Sequence, residues 1–371
     1  MKIWQETLPY TSDNPIADSF FTPDALFFDI ETTGFSPSYS TVYLIGCCSR
    51  QNDSLIIEQF FAETPKEEAA VINAFCKRLE QFGTVITFNG IGFDIPFLTA
   101  RCKTLHLLEH FCDFEYLDLY KAASKLKFAL QLPNFKQKSI ECFLDIDRED
   151  RFNGGELIEV YKSYVRHPED EALYLLKQHN YDDVLGMPAL LSILSYTRFF
   201  ESDCVVTEID AAESPSMDGT TVSKELIFTL SSEVSLPKRI SCRFEEFYLT
   251  AEGNTAKLSV RLYDGELKFF LDNPKDYYYL PEEDTAYPKS IASGVDKAHK
   301  KQATKATCFT KKSGIFLPQY ESVVTPEFRI HSPKEKKSYF ELSEAFLHSD
   351  EVLTTYVRHI FRQFSKKPPR A

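Results

Sequence analysis

Two acidic residues interrupt an apolar, strand-like segment near the start of the chain. The segment FFDIETTGF, residues 27–35, sets Asp29 and Glu31 among Phe and Ile. Because residues i and i+2 of a strand point to the same face, the two carboxylates would lie side by side. Such a pair costs free energy unless a metal ion, a basic side chain or water at a strand end compensates the charge. Alone the pair is a weak signal, since the chain has 55 acidic residues and an exposed strand end is the simpler explanation.

A third carboxylate follows a second strand-like segment. The sequence FNGIGFD, residues 88–94, leaves the apolar run TVITF at 84–88 through an asparagine and two glycines, which favour a turn. Asp94 then stands at the start of a predicted helix, where an aspartate is commonly an N-cap. The alternative is that Asp94 is placed beside the first strand and adds to its pair of carboxylates.

A histidine and two aspartates interrupt a later apolar helix. In HNYDDVLGM, residues 179–187, one of Asp182 and Asp183 must lie near the apolar face of the helix. His179 stands four residues before Asp183, so these two side chains project from the same side. An exposed polar turn of the helix would explain the same residues without any chemistry.

Strands and helices must bring these segments together, and the hydrophobic pattern predicts an α/β class from residue 25 to about 197. Three apolar runs rich in β-branched and aromatic residues, separated by turns, predict a β-meander. Further runs predict two more strands, and helical spacing predicts the segments around them. The predicted strands are 25–31, 41–49, 54–62, 84–88 and the start of 115–123, and the predicted helices are 65–82, 95–108, 155–164 and about 168–197.

The pattern changes near residue 200 to strand-like runs with turn signals. This change predicts a first domain of residues 1–200 and a β-rich accessory domain of residues 201–371. A long amphipathic segment, 338–364, predicts a closing helix in the second domain. Turns are predicted at AEGN (251–254), YDGE (263–266) and DNPKD (272–276), a loop at 214–219, and a frayed tail at 365–371.

A basic stretch of the second domain, residues 297–312, contains six lysines, one histidine and no acid. Three tyrosines precede it at 277–279. Lysines with nearby aromatic rings suit a track for single-stranded nucleic acid, in which the rings stack on bases. A solvated lysine face beside core tyrosines is the simpler alternative.

The overall composition restricts the function classes. A net charge of −13 argues against binding of nucleic acid through overall charge. The acidic excess is concentrated in residues 1–200, at −11 against −2 in the remainder, as a solvated surface or a cation-binding cluster would produce. Nine cysteines without a CxxC pair favour free thiols in a reducing, cytoplasmic setting, with no zinc site and no disulfide framework. No apolar stretch reaches the length of a membrane span, and the N-terminus lacks a signal-peptide pattern.

Taken together and in this order, the three acidic segments resemble the motifs of the DEDD superfamily of 3′–5′ exonucleases, which has the RNase H-like fold. DIETTG (29–34) and FNGIGFD (88–94) match closely. Within the superfamily, residues 25 to about 197 are most similar to the bacterial YprB-type RNase H-like domain. The third motif of that domain often contains HN, two residues and then D, which corresponds to residues 179–183 here. The segments 118–120, 132–150 and 154–165 also look like that family.

The resemblance implies a metal-dependent 3′–5′ exonuclease that acts on single-stranded DNA or RNA ends. Two divalent cations, Mg²⁺ or Mn²⁺, would suit a crowded carboxylate cluster and would support hydrolysis of a phosphodiester. The superfamily places either a tyrosine four residues before its last aspartate or a histidine five residues before it. Here His179 occupies the first of these positions and Gln178 the second. We therefore assign His179 to positioning or deprotonating the attacking water, with Tyr181 as a weaker candidate. The residues that match the four metal-binding carboxylates are Asp29, Glu31, Asp94 and Asp183.

Further residues are candidates for contact with the substrate. Asn89 and Phe93 match family positions near the substrate, although Phe93 suits the core better. Thr32 could donate a hydrogen bond to the terminal nucleotide, and an ordinary turn hydroxyl is an equal alternative. Lys138 and Arg148 could reach a phosphate, although a solvated surface explains both.

Two other functions compete with the exonuclease. One is a nucleic-acid-binding module with a degenerate active site, because the third motif departs from the superfamily pattern at His179. The other is a protein-interaction subunit in which both halves of the chain offer surfaces to partners. Divalent metal binding at Asp29 and Asp94 would support the exonuclease and count against the protein-interaction subunit.

Overall fold

The computed structural model describes residues 1–109, 111–146, 154–215 and 222–365. The chain divides into two compact units. Arg148, most of the predicted loop at 214–219 and nearly all of the predicted tail lie outside the described residues. The first unit is Met1–Lys127 with Leu132–Thr197, and the second is Phe128–Gln131 with Arg198–Ala371.

Six strands form the central sheet of the first unit. They are β1 Lys2–Pro9, β2 Ala25–Thr32, β3 Val42–Gln51, β4 Ser54–Phe61, β5 Thr84–Thr87 and β6 Glu115–Asp118. The order across the sheet is β1-β4-β3-β2-β5-β6. The pairs β1–β4, β4–β3 and β3–β2 are antiparallel, whereas β2–β5 and β5–β6 are parallel. This topology places β2 in the centre of a mixed sheet.

Helices cover both faces of this sheet. The helices up to residue 201 are α1 Pro15–Phe20, α2 Glu68–Leu79, α3 Asp94–Thr104, α4 Leu119–Ser124, α5 Lys127–Leu130, α6 Gln137–Phe143, α7 Gly154–Arg166, α8 Asp170–Leu190 and α9 Leu194–Glu201. One core joins Leu26, Phe28 and Ile30 of β2 to apolar residues of α2 and α3. On the opposite face, a core of β3 and β4 residues packs against α7 and α8. Since side chains alternate along a strand, the second face also receives Asp29 and Glu31.

The predicted fold class is confirmed: an RNase H-like mixed sheet flanked by helices precedes a β-rich C-terminal region. The prediction omitted β1, which pairs with β4 along its whole length. The residues of β1 are either half-buried or exposed, as expected for an edge strand. Among the described residues, the helices are all too short or too polar to cross a membrane.

The second unit is built from three three-stranded antiparallel sheets, β7-β8-β9, β10-β14-β15 and β12-β11-β13. Their bounds are β7 Val205–Pro215, β8 Val222–Phe244, β9 Phe247–Arg261, β10 Tyr263–Phe270, β11 Tyr277–Leu280, β12 Thr285–Pro288, β13 Lys301–Gln302, β14 Phe309–Gln319 and β15 Ser338–Glu341. Two helices close the described chain, α10 Glu344–Leu347 and α11 Asp350–Ser365.

Three local predictions in this unit are wrong. The AEGN segment lies inside β9, where Gly253 adopts a φ of 54° at an irregularity in the pairing with β8. A Gly-Asn pair suits a bulge as well as a hairpin turn, and the hairpin turns instead at Glu245, with a φ of 46°. The YDGE segment belongs to β10. The start of the predicted closing helix is β15, which pairs with β14, so the long helix is α11 alone.

Several lysines of the basic stretch are engaged within the second unit. Lys311 lies 2.8 Å from Asp284, and Lys312 forms an ion pair with Glu341. The Lys300 ammonium donates to two backbone carbonyls and lies over the ring of Tyr278. These contacts favour the structural alternative for this part of the stretch.

Candidate active site

Strand β2 and helix α8 bring the first and third acidic segments together. The Oε1 atom of Glu31 lies 3.6 Å from Nε2 of His179, and Oδ2 of Asp183 lies 3.4 Å from the same nitrogen. Ligand atoms of these three residues lie within 4.8 Å of one another. Glu31 and His179 are buried, and Asp183 is half-buried. The helical spacing therefore places imidazole and carboxylate where both meet the strand.

The structure separates the two consecutive aspartates of α8. Asp182 accepts a hydrogen bond from Nε2 of Gln178 at 2.8 Å and does not belong to the group formed by Glu31, His179 and Asp183. Tyr181 lies near Glu6, whose carboxylate helps burial to raise the pKa of its hydroxyl to about 12. Neither side chain therefore belongs to the group of Glu31, His179 and Asp183.

The second acidic segment reaches β2 from the neighbouring strand. Strand β5 ends at Thr87, and the chain turns through Asn89, which has a φ of 64°. Asp94 is the first residue of α3, and its Oδ1 accepts a hydrogen bond from the backbone N–H of Ile30 at 3.4 Å. This bond holds the carboxylate beside the residue that separates Asp29 from Glu31. Asp94 is 5% exposed.

Burial raises the pKa of Asp94 to about 7. The charges of Asp118 and Asp183 raise it further, whereas hydrogen bonds from backbone N–H groups partly offset the increase. A buried carboxylate in this position is unfavourable in its ionised form unless a cation compensates it.

Asp94→Asn is therefore expected to stabilise the metal-free protein at alkaline pH. The folded pKa of about 7 lies above the ordinary value of 3.8, so the stability associated with protonated Asp94 is lost as the pH rises from about 4 through 7. At pH 8 the free energy of unfolding of the variant should exceed that of wild type by up to about 4 kcal/mol, and this difference should shrink towards pH 4. Urea denaturation in EDTA at pH 8 and pH 5 measures both values. Equal stability of the two proteins at both pH values would contradict this account.

Asn180 connects α8 to the centre of the sheet. Its Nδ2 donates to the backbone oxygen and to Oδ2 of Asp29, at 3.5 Å each, and its Oδ1 accepts from Gln59 at 3.0 Å. Gly46 lies between Asp29 and Gln59 in the strand register. A Cβ atom on Gly46 would lie 2.1 Å from Oδ1 of Asn180, so only glycine leaves room for this side chain. The helix and the sheet are thus joined by hydrogen bonds directly beside Asp29.

Sequence reasoning missed two further buried carboxylates near the site. Asp118, at the end of β6, accepts from the backbone N–H groups of Asn89, Ile91 and Lys121. It thereby holds the turn that leads to Asp94. An aspartate between a strand and a helix is the available signal, since this is the usual N-cap position.

The other missed carboxylate, Glu141 of α6, accepts a hydrogen bond from Gln137 at 2.9 Å. The same amide lies 3.5 Å from Oδ1 of Asp183. The spacing of four residues between Gln137 and Glu141 on a helix is the signal that could have indicated this hydrogen-bonded pair.

The predicted substrate residues differ in their surroundings. The hydroxyl of Thr32 donates to the carbonyl of Gly34 at 2.8 Å, as a turn hydroxyl does. The ring of Phe93 is half-buried and packs against Phe35 and Phe97. Asn89 is exposed, so its side chain is accessible from solvent.

The donors of the group fit a hard divalent cation. Carboxylate oxygens are the ligands that Mg²⁺ and Mn²⁺ prefer, and an imidazole nitrogen is compatible with Mn²⁺. Burial of Glu31 and Asp94 makes an uncompensated cluster unfavourable, which a cation would relieve.

Residues 26–195 match the model of the RNase_H superfamily. No curated protein sequence matches the chain. The family match covers β2 to the start of α9 and therefore includes the acidic segments.

Solved structures of low similarity include a polymerase and an exonuclease. A family B DNA polymerase from Pyrobaculum calidifontis is 20% identical, with a TM-score of 0.38, over 47% of this chain and 25% of that chain. A complex of E. coli ExoI with single-stranded DNA is 15% identical, with a TM-score of 0.28, over 56% of this chain and 54% of that chain. The chain thus spans a quarter of the polymerase and about half of the exonuclease.

Proposed function

We propose that the first unit is a metal-dependent 3′–5′ exonuclease of the DEDD type, most similar to the YprB-type domain, which hydrolyses phosphodiester bonds at the ends of single-stranded DNA or RNA. The observation that carries the proposal is the meeting of Glu31, His179 and Asp183 within 4.8 Å. Asp94, held against the same strand, adds a further carboxylate. The match of residues 26–195 to the RNase_H superfamily supports a nuclease.

The residues of this site would have distinct roles in hydrolysis. Two divalent ions, Mg²⁺ or Mn²⁺, would supply Lewis acidity and a water of lowered pKa. His179 would orient the attacking water and accept its proton at Nε2. Asn180 and Gln59 would hold Asp29 in place. The residues that would hold the ions are Asp29, Glu31, Asp94 and Asp183.

A second candidate is a nucleic-acid-binding module of the same fold without hydrolysis. The observation that favours it is the position of His179, whose Nε2 lies between Glu31 and Asp183. An imidazole that stays within this group would replace an oxygen ligand by nitrogen, which Mg²⁺ tolerates poorly.

The degradation of single-stranded oligonucleotides labelled at the 5′ end tests the proposal. With Mg²⁺ or Mn²⁺, we expect a ladder that shortens from the 3′ end and disappears in EDTA. A matched strand whose 3′ end carries an inverted nucleotide should resist, because a 3′–5′ exonuclease needs a free 3′ end. DNA and RNA strands of equal length identify the preferred substrate.

Three other outcomes would overturn parts of this proposal. Cleavage of the blocked strand would indicate an endonuclease. Binding of the strands without shortening, at every metal tested, would select the second candidate. If the protein neither binds nor shortens the strands, nucleic acid is not its substrate, and this result favours the protein-interaction alternative.

A further inference from the structure

A cavity of about 670 Å³ opens in the first unit beside the acidic residues. Gln137 forms part of its wall, and the amide of this residue also lies 3.5 Å from Oδ1 of Asp183. Asn89, from the turn that precedes Asp94, lines the cavity as well. Gln137 therefore connects the cavity to Asp183, and Asn89 connects it to the turn that leads to Asp94.

Aromatic rings form much of the cavity wall. Phe88 and Tyr120 meet edge to face with ring centroids 6.1 Å apart, and both line the cavity. Phe135 contributes a third ring to the lining. Phe88 and Tyr120 are half-buried, whereas Phe135 is buried. The two half-buried rings offer faces on which a planar, unpaired base can stack.

The charge of the lining is opposite to that of the neighbouring cluster. Among the described residues that line the cavity, the charged ones are Lys127 and Lys136. Both are exposed, and the ammonium of Lys127 lies 5.8 Å from the centre of the Phe135 ring. Lysines beside aromatic rings complement a phosphate and its base.

We infer that this cavity holds the base of one of the two 3′-terminal nucleotides of the strand, stacked against Tyr120, with Lys127 and Lys136 at the adjoining phosphate. The inference rests on the proposed function and specifies how that site selects its substrate. A base inside the cavity cannot remain paired, so occupancy favours single strands over duplexes.

Equilibrium binding tests the inference separately from hydrolysis. The probe is a fluorescent 12-nucleotide oligothymidylate in Ca²⁺, with a single abasic position at the first, second or fifth nucleotide from the 3′ end. For wild type, loss of the base at position one or two should weaken binding about 10-fold, and loss at position five should not. Tyr120→Ala should weaken binding of the intact strand about 10-fold and abolish the extra loss at the abasic position.

Three variants separate stacking from a structural effect. Tyr120→Phe keeps the ring and should keep discrimination against the abasic strand. Tyr174→Ala removes an exposed tyrosine of α8 and should bind as wild type does. Lys127→Gln changes an exposed side chain and should lower the slope of log K against log salt by about 0.7, the effect of one phosphate contact with a single strand.

The outcomes distinguish the cavity from the enzyme. If Tyr120→Ala retains the full abasic penalty, or if Lys127→Gln leaves the salt dependence unchanged, the inferred subsite is wrong while the exonuclease proposal stands. If wild type binds no single strand, the proposed function itself fails.

Discussion

Replacement of Asp183 by asparagine is expected to reduce hydrolysis of single strands by about 1,000-fold. Asp183 presents an oxygen 3.4 Å from Nε2 of His179, in the group that includes Glu31. Asparagine keeps the size of the side chain but removes the charge that would hold a divalent cation. The expected factor corresponds to about 4 kcal/mol of transition-state stabilisation. The measurement is kcat/KM for 5′-labelled oligonucleotides with Mg²⁺ and with Mn²⁺.

The neighbouring aspartate provides a matched control for this prediction. Asp182→Asn makes the same chemical change one residue away, where the carboxylate accepts a hydrogen bond from Gln178. Its kcat/KM should remain within about threefold of wild type, as for a substitution outside a functional site. An equal loss in both variants would indicate a general effect on α8. A loss of kcat/KM in Asp182→Asn alone would show that Asp182, and not Asp183, is the ligand.

Glu68→Ala is expected to lower the free energy of unfolding of the first unit by about 3–5 kcal/mol. Glu68 is 2% exposed and receives two hydrogen bonds from the guanidinium of Arg101, at 2.7 and 2.8 Å. The guanidinium also donates to the carbonyl of Pro37, and Glu68 accepts from the N–H of Val42. Removing the carboxylate leaves a buried charge without its partner.

Urea denaturation followed by tryptophan fluorescence measures this loss, because the single tryptophan, Trp4, lies in the first unit. The double variant with Glu68→Leu and Arg101→Met should recover most of the stability, since apolar residues of similar volume can replace a buried ion pair. Glu159→Gln removes one member of an exposed ion pair with Lys162 and should leave the denaturation midpoint unchanged. A midpoint in Glu68→Ala equal to that of Glu159→Gln would contradict the prediction.

Local periodicity predicted the parts of the site that depend on one element at a time. Alternation along β2 placed Asp29 and Glu31 on one face, and helical spacing placed His179 and Asp183 on one side of α8. The α/β class followed from the same patterns, because strands and helices alternate with distinct periods. The resemblance to a known superfamily then connected segments that are distant in sequence.

Other parts depend on partners that no local pattern identifies. Asn180 looks like any polar residue of a helix until Gly46 and Gln59 are found beneath it. Asp118 looks like an ordinary N-cap, although it also accepts from two N–H groups of the turn before Asp94. In the second unit, a Gly-Asn pair suits both hairpin turns and bulges, so the pairing of β8 with β9 decided the outcome at Gly253.

Consecutive aspartates leave α8 with an ambiguity that its hydrophobic pattern does not remove. A rotation of the helix by one residue, about 100°, would present Asp182 to the sheet in place of Asp183. Asn180 resolves this ambiguity, because its buried amide requires the bare backbone of Gly46 beneath it. A glycine with no functional group of its own therefore selects which of two chemically identical acids faces Glu31.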